Sequence, residues 1–138
     1  MTKKPKWAEE IILSVCKEYN LSEPKVNWRR SHKQKKGFYT ESNGNNIPIF
    51  KPKRYFSSGV AYTTENEISI TAGSERKDQK LVLLHELAHL ISPKEEHHGK
   101  VFWEIAWKLY RQYKVPINYA KEREYSYRKL AKKVLLAK

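Results

Sequence analysis

The stretch that decides the fold is Leu81-Val82-Leu83-Leu84-His85-Glu86-Leu87-Ala88-His89-Leu90. Apolar residues occur on nearly every side of a helix built from this stretch, which is typical of a helix that is buried all round. The pattern predicts one helix over residues 74–91, with Ser74 as its N-cap. Pro93 disfavours helical geometry at Ser92, so the helix is expected to end there.

Within this helix, His85 and His89 are four residues apart and therefore lie on one face, one turn apart. Two imidazole nitrogens in this arrangement are able to bind one Zn²⁺ ion, at about 2.0–2.1 Å each. Glu86, beside the first histidine, is placed to act as the general base toward an attacking water. The alternative is a pair of core histidines beside a buried glutamate, and it leaves an ionised carboxylate without a partner, which is costly.

A catalytic zinc site needs a third protein ligand and one open position. The candidates downstream are Glu95, Glu96, His97, His98 and Glu104. The metzincin spacing fails, because the position six residues after the second histidine holds a glutamate. His98 precedes Gly99 and the next predicted helix, where a loop is able to bring a side chain back over the metal. The spacing alone leaves the third ligand open.

Outward from this helix, the hydrophobic periodicity predicts three more helical segments and four short strands. The helices cover residues 7–20, 100–113 and 121–138, and the strands cover residues 26–28, 38–40, 59–63 and 67–71. The last two strands are predicted to form a hairpin with alternating burial. We therefore predict an α+β fold with an N-terminal helix, a small, mainly antiparallel sheet, the histidine-bearing helix and a following helix. The predicted domain covers residues 1–120, and a basic helical tail covers residues 121–138.

The composition indicates one soluble domain. The chain has 138 residues, of which 39% are hydrophobic, and a mean hydropathy of −0.82. A membrane-spanning helix needs about 20 consecutive apolar residues, and none of that length is present. No apolar secretory segment follows the first lysines, so we expect a cytoplasmic or nucleoid-associated monomer that is not secreted. The single cysteine, Cys16, excludes an internal disulfide and a Cys-rich zinc ribbon, and it is predicted to be a core residue.

The net charge is +13, and its distribution is uneven. Residues 25–55 carry +8 and residues 114–138 carry +6, whereas residues 56–113 carry −1. Such asymmetry is typical of proteins that bind a polyanion, most often nucleic acid. The candidate contacts are Arg29, Arg30, Lys33, Lys35, Lys36, Lys53 and Arg54. Aromatic residues such as Trp28 are interleaved with them, a pattern that suits single-stranded nucleic acid. The expected partner is single-stranded or damaged DNA. The alternative is a solvated basic surface above a core that uses the aromatic residues.

The sequence also resembles a known family. His85-Glu86-Leu87-Ala88-His89-Leu90, followed by His98-Gly99-Lys100-Val101-Phe102, is similar to the SprT-like zinc metalloprotease domain. Gly59-Val60-Ala61-Tyr62 and Glu67-Ile68-Ser69-Ile70 resemble the strand pair before that family's active-site helix. The resemblance implies a zincin-like fold, a Zn²⁺ cofactor and His98 as the third ligand. The family includes the Spartan proteases, which degrade proteins crosslinked to DNA. This chain departs from many members because one cysteine cannot build their C-terminal zinc ribbon.

These observations predict a zinc-dependent endopeptidase that acts on proteins associated with nucleic acid, with Glu86 as the catalytic base. Two alternatives stay open, a basic nucleic-acid-binding or virion-type structural protein that retains a metalloprotease fold, and a zinc hydrolase of a non-protein amide. The substrate is expected to lie extended along the strand that contains Ile68 and Ile70. Tyr62, Tyr110 and Arg111 are suggestions for the group that stabilises the oxyanion.

Overall fold

A computed structural model describes residues 3–30, 37–40, 46–49, 57–73, 75–93, 98–125 and 129–136. This part of the chain contains five helices and five strands. The helices are α1 (Lys6–Tyr19), α2 (Arg76–Ile91), α3 (Lys100–Gln112), α4 (Ile117–Tyr125) and α5 (Lys129–Leu136). The strands are β1 (Lys25–Arg30), β2 (Gly37–Thr40), β3 (Asn46–Ile49), β4 (Ser58–Tyr62) and β5 (Glu67–Ala72). The predicted α+β class is therefore confirmed, and no helix among these is long and apolar enough to cross a membrane.

The main sheet has three strands in the order β1-β5-β4. β4 and β5 form the predicted antiparallel hairpin, with Ala61 opposite Ile68. β5 also pairs with β1 in parallel, with Trp28 opposite Ile70, so this sheet is mixed rather than mainly antiparallel. A parallel pair needs a crossover connection, and such a connection leaves little trace in local sequence. β2 and β3 form a separate antiparallel pair.

The alternating burial predicted for the hairpin is confirmed, because every second residue of β5 points into the core: Ile68, Ile70 and Ala72. The buried stripe of α1 consists of Ala8, Ile11, Ile12, Val15 and Cys16. Cys16 is thus a core residue, as predicted. Burial raises the pKa of its thiol, which makes it a poor nucleophile.

Helix α2 is the central element of the fold. It packs against α1, α3, β4 and β5, and Leu83, Leu84 and Leu87 are fully buried. The all-round apolar pattern of the sequence therefore reflects real burial, as predicted. The helix begins one residue after its N-cap Glu75 and ends at Ile91, before Ser92. Ser74, the predicted N-cap, lies outside the described residues.

The C-terminal helices pack on the rest of the molecule. α4 begins at Ile117 and ends at Tyr125, so the predicted boundary at residue 120 lies inside a helix. Ala131 and Val134 of α5 belong to the same buried cluster as α2 and α3. The indole Nε1 of Trp107 donates a hydrogen bond to the Ala131 carbonyl at 2.9 Å, which ties α5 to α3.

Candidate metal centre and active site

The two histidines of α2 lie on the same face of the helix, because four residues make about one turn. The ring centroids of His85 and His89 are 5.1 Å apart. The adjoining turn of α2 is buried in the core, which fixes the direction in which both rings project. A rigid buried helix therefore positions two of the three nitrogen donors.

The third nitrogen comes from His98, just before α3 begins at Lys100. The Nε2 atom of His98 lies 3.1 Å from Nε2 of His85 and 3.1 Å from Nε2 of His89. A neutral imidazole nitrogen carries at most one hydrogen, so His98 cannot donate to both neighbours at once. A cation between the three rings accounts for their convergence better than a direct hydrogen bond does.

The donor geometry fits a metal ion. The three nitrogen atoms all lie within 4.8 Å of one another. Two ligands of a tetrahedral ion with metal–nitrogen distances of about 2.0–2.1 Å are about 3.3 Å apart, close to the 3.1 Å seen here. Three imidazoles suit zinc and also copper, iron or nickel, so the donor set alone does not choose the metal.

The alternative candidates for the third ligand are not part of this cluster, as far as the structure describes them. Among the described residues, the only group placed to hold a metal consists of His85, His89 and His98. Glu104 is not part of it, and its carboxylate lies 4.0 Å from the Lys100 ammonium, one turn away on α3. Glu95, Glu96 and His97 lie outside the described residues.

Aromatic rings from α3 surround the histidines. Phe102 stacks on His89, with ring centroids 4.3 Å apart and planes inclined by 26°. Phe102 also packs edge to face on His85, with ring centroids 5.0 Å apart. The ring centroids of Trp103 and His98 are 5.9 Å apart. Phe102 and Trp103 are fully buried. They form an apolar wall that limits how far the three imidazoles are able to rotate.

Glu86 is a buried carboxyl beside this cluster, with only 6% of the residue exposed. Burial raises its pKa from 4.5 to about 7, although the neighbouring His85 opposes the shift. The backbone of β4 presses on the same side chain. A Cβ atom added to Gly59 would lie 2.8 Å from Cγ of Glu86 and 2.8 Å from Cγ1 of Val82. Gly59 therefore allows β4 to approach α2 closely beside Glu86.

A second carboxylate reaches the cluster from α4. Oε2 of Glu124 lies 2.8 Å from Nδ1 of His85, and the Tyr110 hydroxyl donates to the same oxygen at 3.0 Å. Glu124 is 4% exposed and Tyr110 is fully buried. Burial and the neighbouring carboxylate raise the pKa of Tyr110 well above 10, so its hydroxyl is a donor at neutral pH. Glu124 was not predicted from the sequence, and Tyr110 donates to it rather than serving as an oxyanion donor.

Two clefts adjoin the cluster, with volumes of about 480 Å³ and 370 Å³. Both are lined by Gly59, His85, Glu86 and His98. The larger continues toward Trp103 and α4, and the smaller continues along Val60 and Ala61 toward His89. The site is thus open to a ligand longer than a single residue.

The strand beside the clefts is β4, not the predicted strand of Ile68 and Ile70. That prediction was wrong, because β5 is the central strand, with partners on both sides, and both isoleucines are fully buried. Among the described strands, β4 pairs on one side only. Its Val60 and Tyr62 are about half exposed, at 49% and 46%.

Most of the predicted nucleic-acid contacts fall outside the described residues: Lys33, Lys35, Lys36, Lys53 and Arg54. Arg29 and Arg30 are exposed at the end of β1. Trp28, proposed as a stacking ring, is 4% exposed and packs edge to face on Trp7 at 6.0 Å. This ring belongs to the core and is not available to a base.

Comparisons with known proteins do not assign a family. No family model, no curated protein and no solved structure matches the chain. The similarity to the SprT-like domain stays a prediction from the motif residues.

Proposed function

We propose that this protein is a zinc-dependent endopeptidase with a zincin-like, SprT-like catalytic domain. The observation that carries the proposal is the convergence of three histidine nitrogens beside a buried glutamate at an open cleft. His85, His89 and His98 would hold the ion. Zinc, when bound, supplies a Lewis acid that polarises a carbonyl and lowers the pKa of water.

Glu86 performs the proton transfers of the proposed reaction. Its carboxylate takes a proton from the attacking water, whose oxygen bonds to the carbonyl carbon of the scissile peptide. The same proton then passes to the peptide nitrogen as the carbon–nitrogen bond breaks, and the carboxylate is regenerated. Burial raises the pKa of this carboxyl in the metal-free protein, and a raised pKa favours a group that must both accept and release a proton.

The edge of β4 supports binding of an extended substrate. Backbone groups on the unpaired side of an edge strand bind another chain mainly through main-chain hydrogen bonds. The two clefts that adjoin the histidines leave room for residues before and after the scissile bond. We therefore expect a permissive protease that prefers unfolded or disordered chains and shows little side-chain preference in a peptide-library digest.

Burial of Glu86 argues against the purely structural alternative. A carboxyl that is 6% exposed destabilises the fold when it is ionised. A structural histidine site gains nothing from this residue, whereas hydrolysis requires it. The net charge of +13 supports a further part of the proposal, that the protein substrates are associated with nucleic acid.

The decisive experiment combines zinc content with proteolysis. Purified protein is expected to carry one zinc ion by native mass spectrometry and to digest casein or histones, assayed with and without single-stranded DNA. Glu86→Gln is expected to retain zinc and to lose activity by about 10²- to 10⁴-fold. Glu65→Gln, an exposed position in the β4–β5 turn, serves as the matched control. Turnover at the wild-type rate in Glu86→Gln, or a protein that does not bind zinc, would refute the proposal.

A further inference from the structure

The imidazole of His85 uses its two nitrogens for different purposes. Nε2 faces the other histidines, 3.1 Å from His98 Nε2, and Nδ1 faces Glu124 at 2.8 Å. A nitrogen that ligates a metal must offer its lone pair, so the proton of the neutral ring has to sit on Nδ1. The Glu124 carboxylate accepts a hydrogen bond in this tautomer and in no other neutral form of the ring.

The position of Glu124 is itself fixed from the other side. The Tyr110 hydroxyl donates to the same Oε2 atom at 3.0 Å and lies 3.4 Å from His85 Nδ1. All three side chains are wholly or largely buried, so bulk water does not compete for these hydrogen bonds. A buried carboxylate is costly unless it is paired, and here its partners are a metal-ligand candidate and a phenol.

The helix that carries Glu124 is anchored to α2 independently of the histidines. Nε of Arg123 lies 3.4 Å from Oδ1 of Asp78, in the first turn of α2. A terminal nitrogen of Arg123 donates to the Ser57 carbonyl at 3.3 Å, and Ala120 is fully buried. These contacts hold α4 in the register that brings Glu124 to His85.

We infer that Glu124 is a positioning residue of the metal centre, which fixes the tautomer and orientation of His85, and that Tyr110 holds Glu124 in place. The inference rests on the proposed function, because it assumes that the three histidines bind zinc. It adds that the C-terminal segment, outside the histidine motif, contributes to metal affinity through α4. Carboxylates that hydrogen-bond a ligating histidine typically change metal affinity by about 10- to 100-fold when they are removed.

The test measures zinc affinity and the electronic spectrum of the site, without using turnover. Metal-free full-length protein and its variants are titrated with Zn²⁺ against a chromophoric chelator. The Co²⁺-loaded forms are compared by visible absorption. Glu124→Ala is expected to weaken zinc binding by about 10- to 100-fold and to shift the Co²⁺ bands. Glu124→Gln keeps an acceptor oxygen but loses the charge, so a smaller loss is expected, and Tyr110→Phe is expected to behave similarly.

Glu122→Gln is the matched control, since it removes a carboxylate from an exposed position of the same helix, and its zinc affinity is expected to equal that of the wild type. A merely structural role of Glu124 would lower the melting temperature but leave zinc affinity and the Co²⁺ spectrum of the folded protein unchanged. If Glu124→Ala does not fold, Glu124→Gln and Tyr110→Phe decide the question. Affinities within about twofold of the wild type in both would overturn the inference and leave the proposed function standing. Failure of the wild type to bind zinc would overturn both.

Discussion

Helices α2 and α4 both bring polar side chains to the candidate site, but they do so in different ways. α2 supplies His85, Glu86 and His89 within five consecutive residues, and the helical repeat alone places both histidines on one face. α4 supplies Glu124, which meets His85 only because the chain folds back on itself. Metal-ligand spacing is therefore a local property of sequence, whereas the hydrogen-bonding partner of a ligand depends on tertiary packing.

The two helices are also held by different forces. α2 buries a continuous apolar surface that includes Leu83, Leu84 and Leu87. α4 also buries apolar surface, including Ala120, but its described contacts at the site are polar and run through Arg123 and Glu124. Apolar burial tolerates changes of pH and salt, while ion pairs depend on both. Each of the following experiments perturbs one side of this contrast.

The largest effect is expected when the ligand that lies outside α2 is removed. His98→Ala leaves two nitrogens on one helix, one fewer than a catalytic zinc site needs, so zinc affinity is expected to fall by more than about 100-fold. Zinc content after gel filtration, followed by chelator competition, measures the loss. His97→Ala is the matched control and is expected to retain zinc. If His97→Ala loses the metal and His98→Ala keeps it, the ligand assignment is reversed.

The next largest effect is expected when a buried residue of α2 is truncated. Leu83 is fully buried, so Leu83→Ala is expected to lower the free energy of unfolding by about 2–5 kcal/mol. Leu130→Ala on α5 is the matched control, because 37% of Leu130 is exposed, and a change within about 0.5 kcal/mol is expected there. Urea denaturation of the metal-free proteins provides both values. Equal losses at the two positions would show that α2 is not the centre of the core.

The sequence predicted well those features that depend on short-range periodicity. The ends of α1, α2 and α3 lie within two residues of the predicted ones, and β4 and β5 form a hairpin at the predicted position. The parallel pairing of β1 with β5 was missed, because it joins strands that are distant in sequence. The same omission led to the wrong choice of β5 as the substrate strand.

Glu124 was missed for a related physical reason. The C-terminal tail is rich in lysine and arginine, so its net charge gives no indication that one of its carboxylates is buried. One signal was present, since Ile117, Ala120 and Glu124 recur on one helical face, which places an acid on an otherwise apolar side. A buried acid on such a face requires a partner, but sequence spacing does not name it.

Glu86 on α2 is expected to make the stability of the fold depend on pH. Its pKa is about 7 in the folded, metal-free protein and near 4.5 in the unfolded chain, so the folded state binds the proton more tightly. The resulting stabilisation is fully present below pH 4.5 and is lost as pH rises through about 7. At pH 8, Glu86→Gln is therefore expected to be more stable than the wild type, by up to about 3 kcal/mol. The difference should shrink toward pH 5.

Denaturant titrations of both metal-free proteins at pH 5, 6, 7 and 8 measure this effect. Glu65→Gln is again the control, because that carboxyl is exposed and its variant should follow the wild-type curve at every pH. A Glu86→Gln variant whose advantage does not change with pH would show that the pKa of Glu86 is the same in the folded and unfolded states, so that burial does not raise it.

The smallest expected effect concerns the basic surface of the same C-terminal segment. Lys129 and Lys133 are exposed, one turn apart on α5. If both contact phosphates, the slope of log K against log salt for single-stranded DNA contains about −0.7 from each of them. Lys129→Glu combined with Lys133→Glu is then expected to flatten the slope by at least about 1.4.

The control, Lys17→Glu with Lys108→Glu, changes the net charge equally at exposed positions outside residues 25–55 and 114–138. Fluorescence anisotropy from 50 to 300 mM salt gives the slopes. Equal flattening in both pairs would mean that binding follows total charge, and a wild-type slope near zero would mean that the charge of +13 does not serve nucleic acid at all.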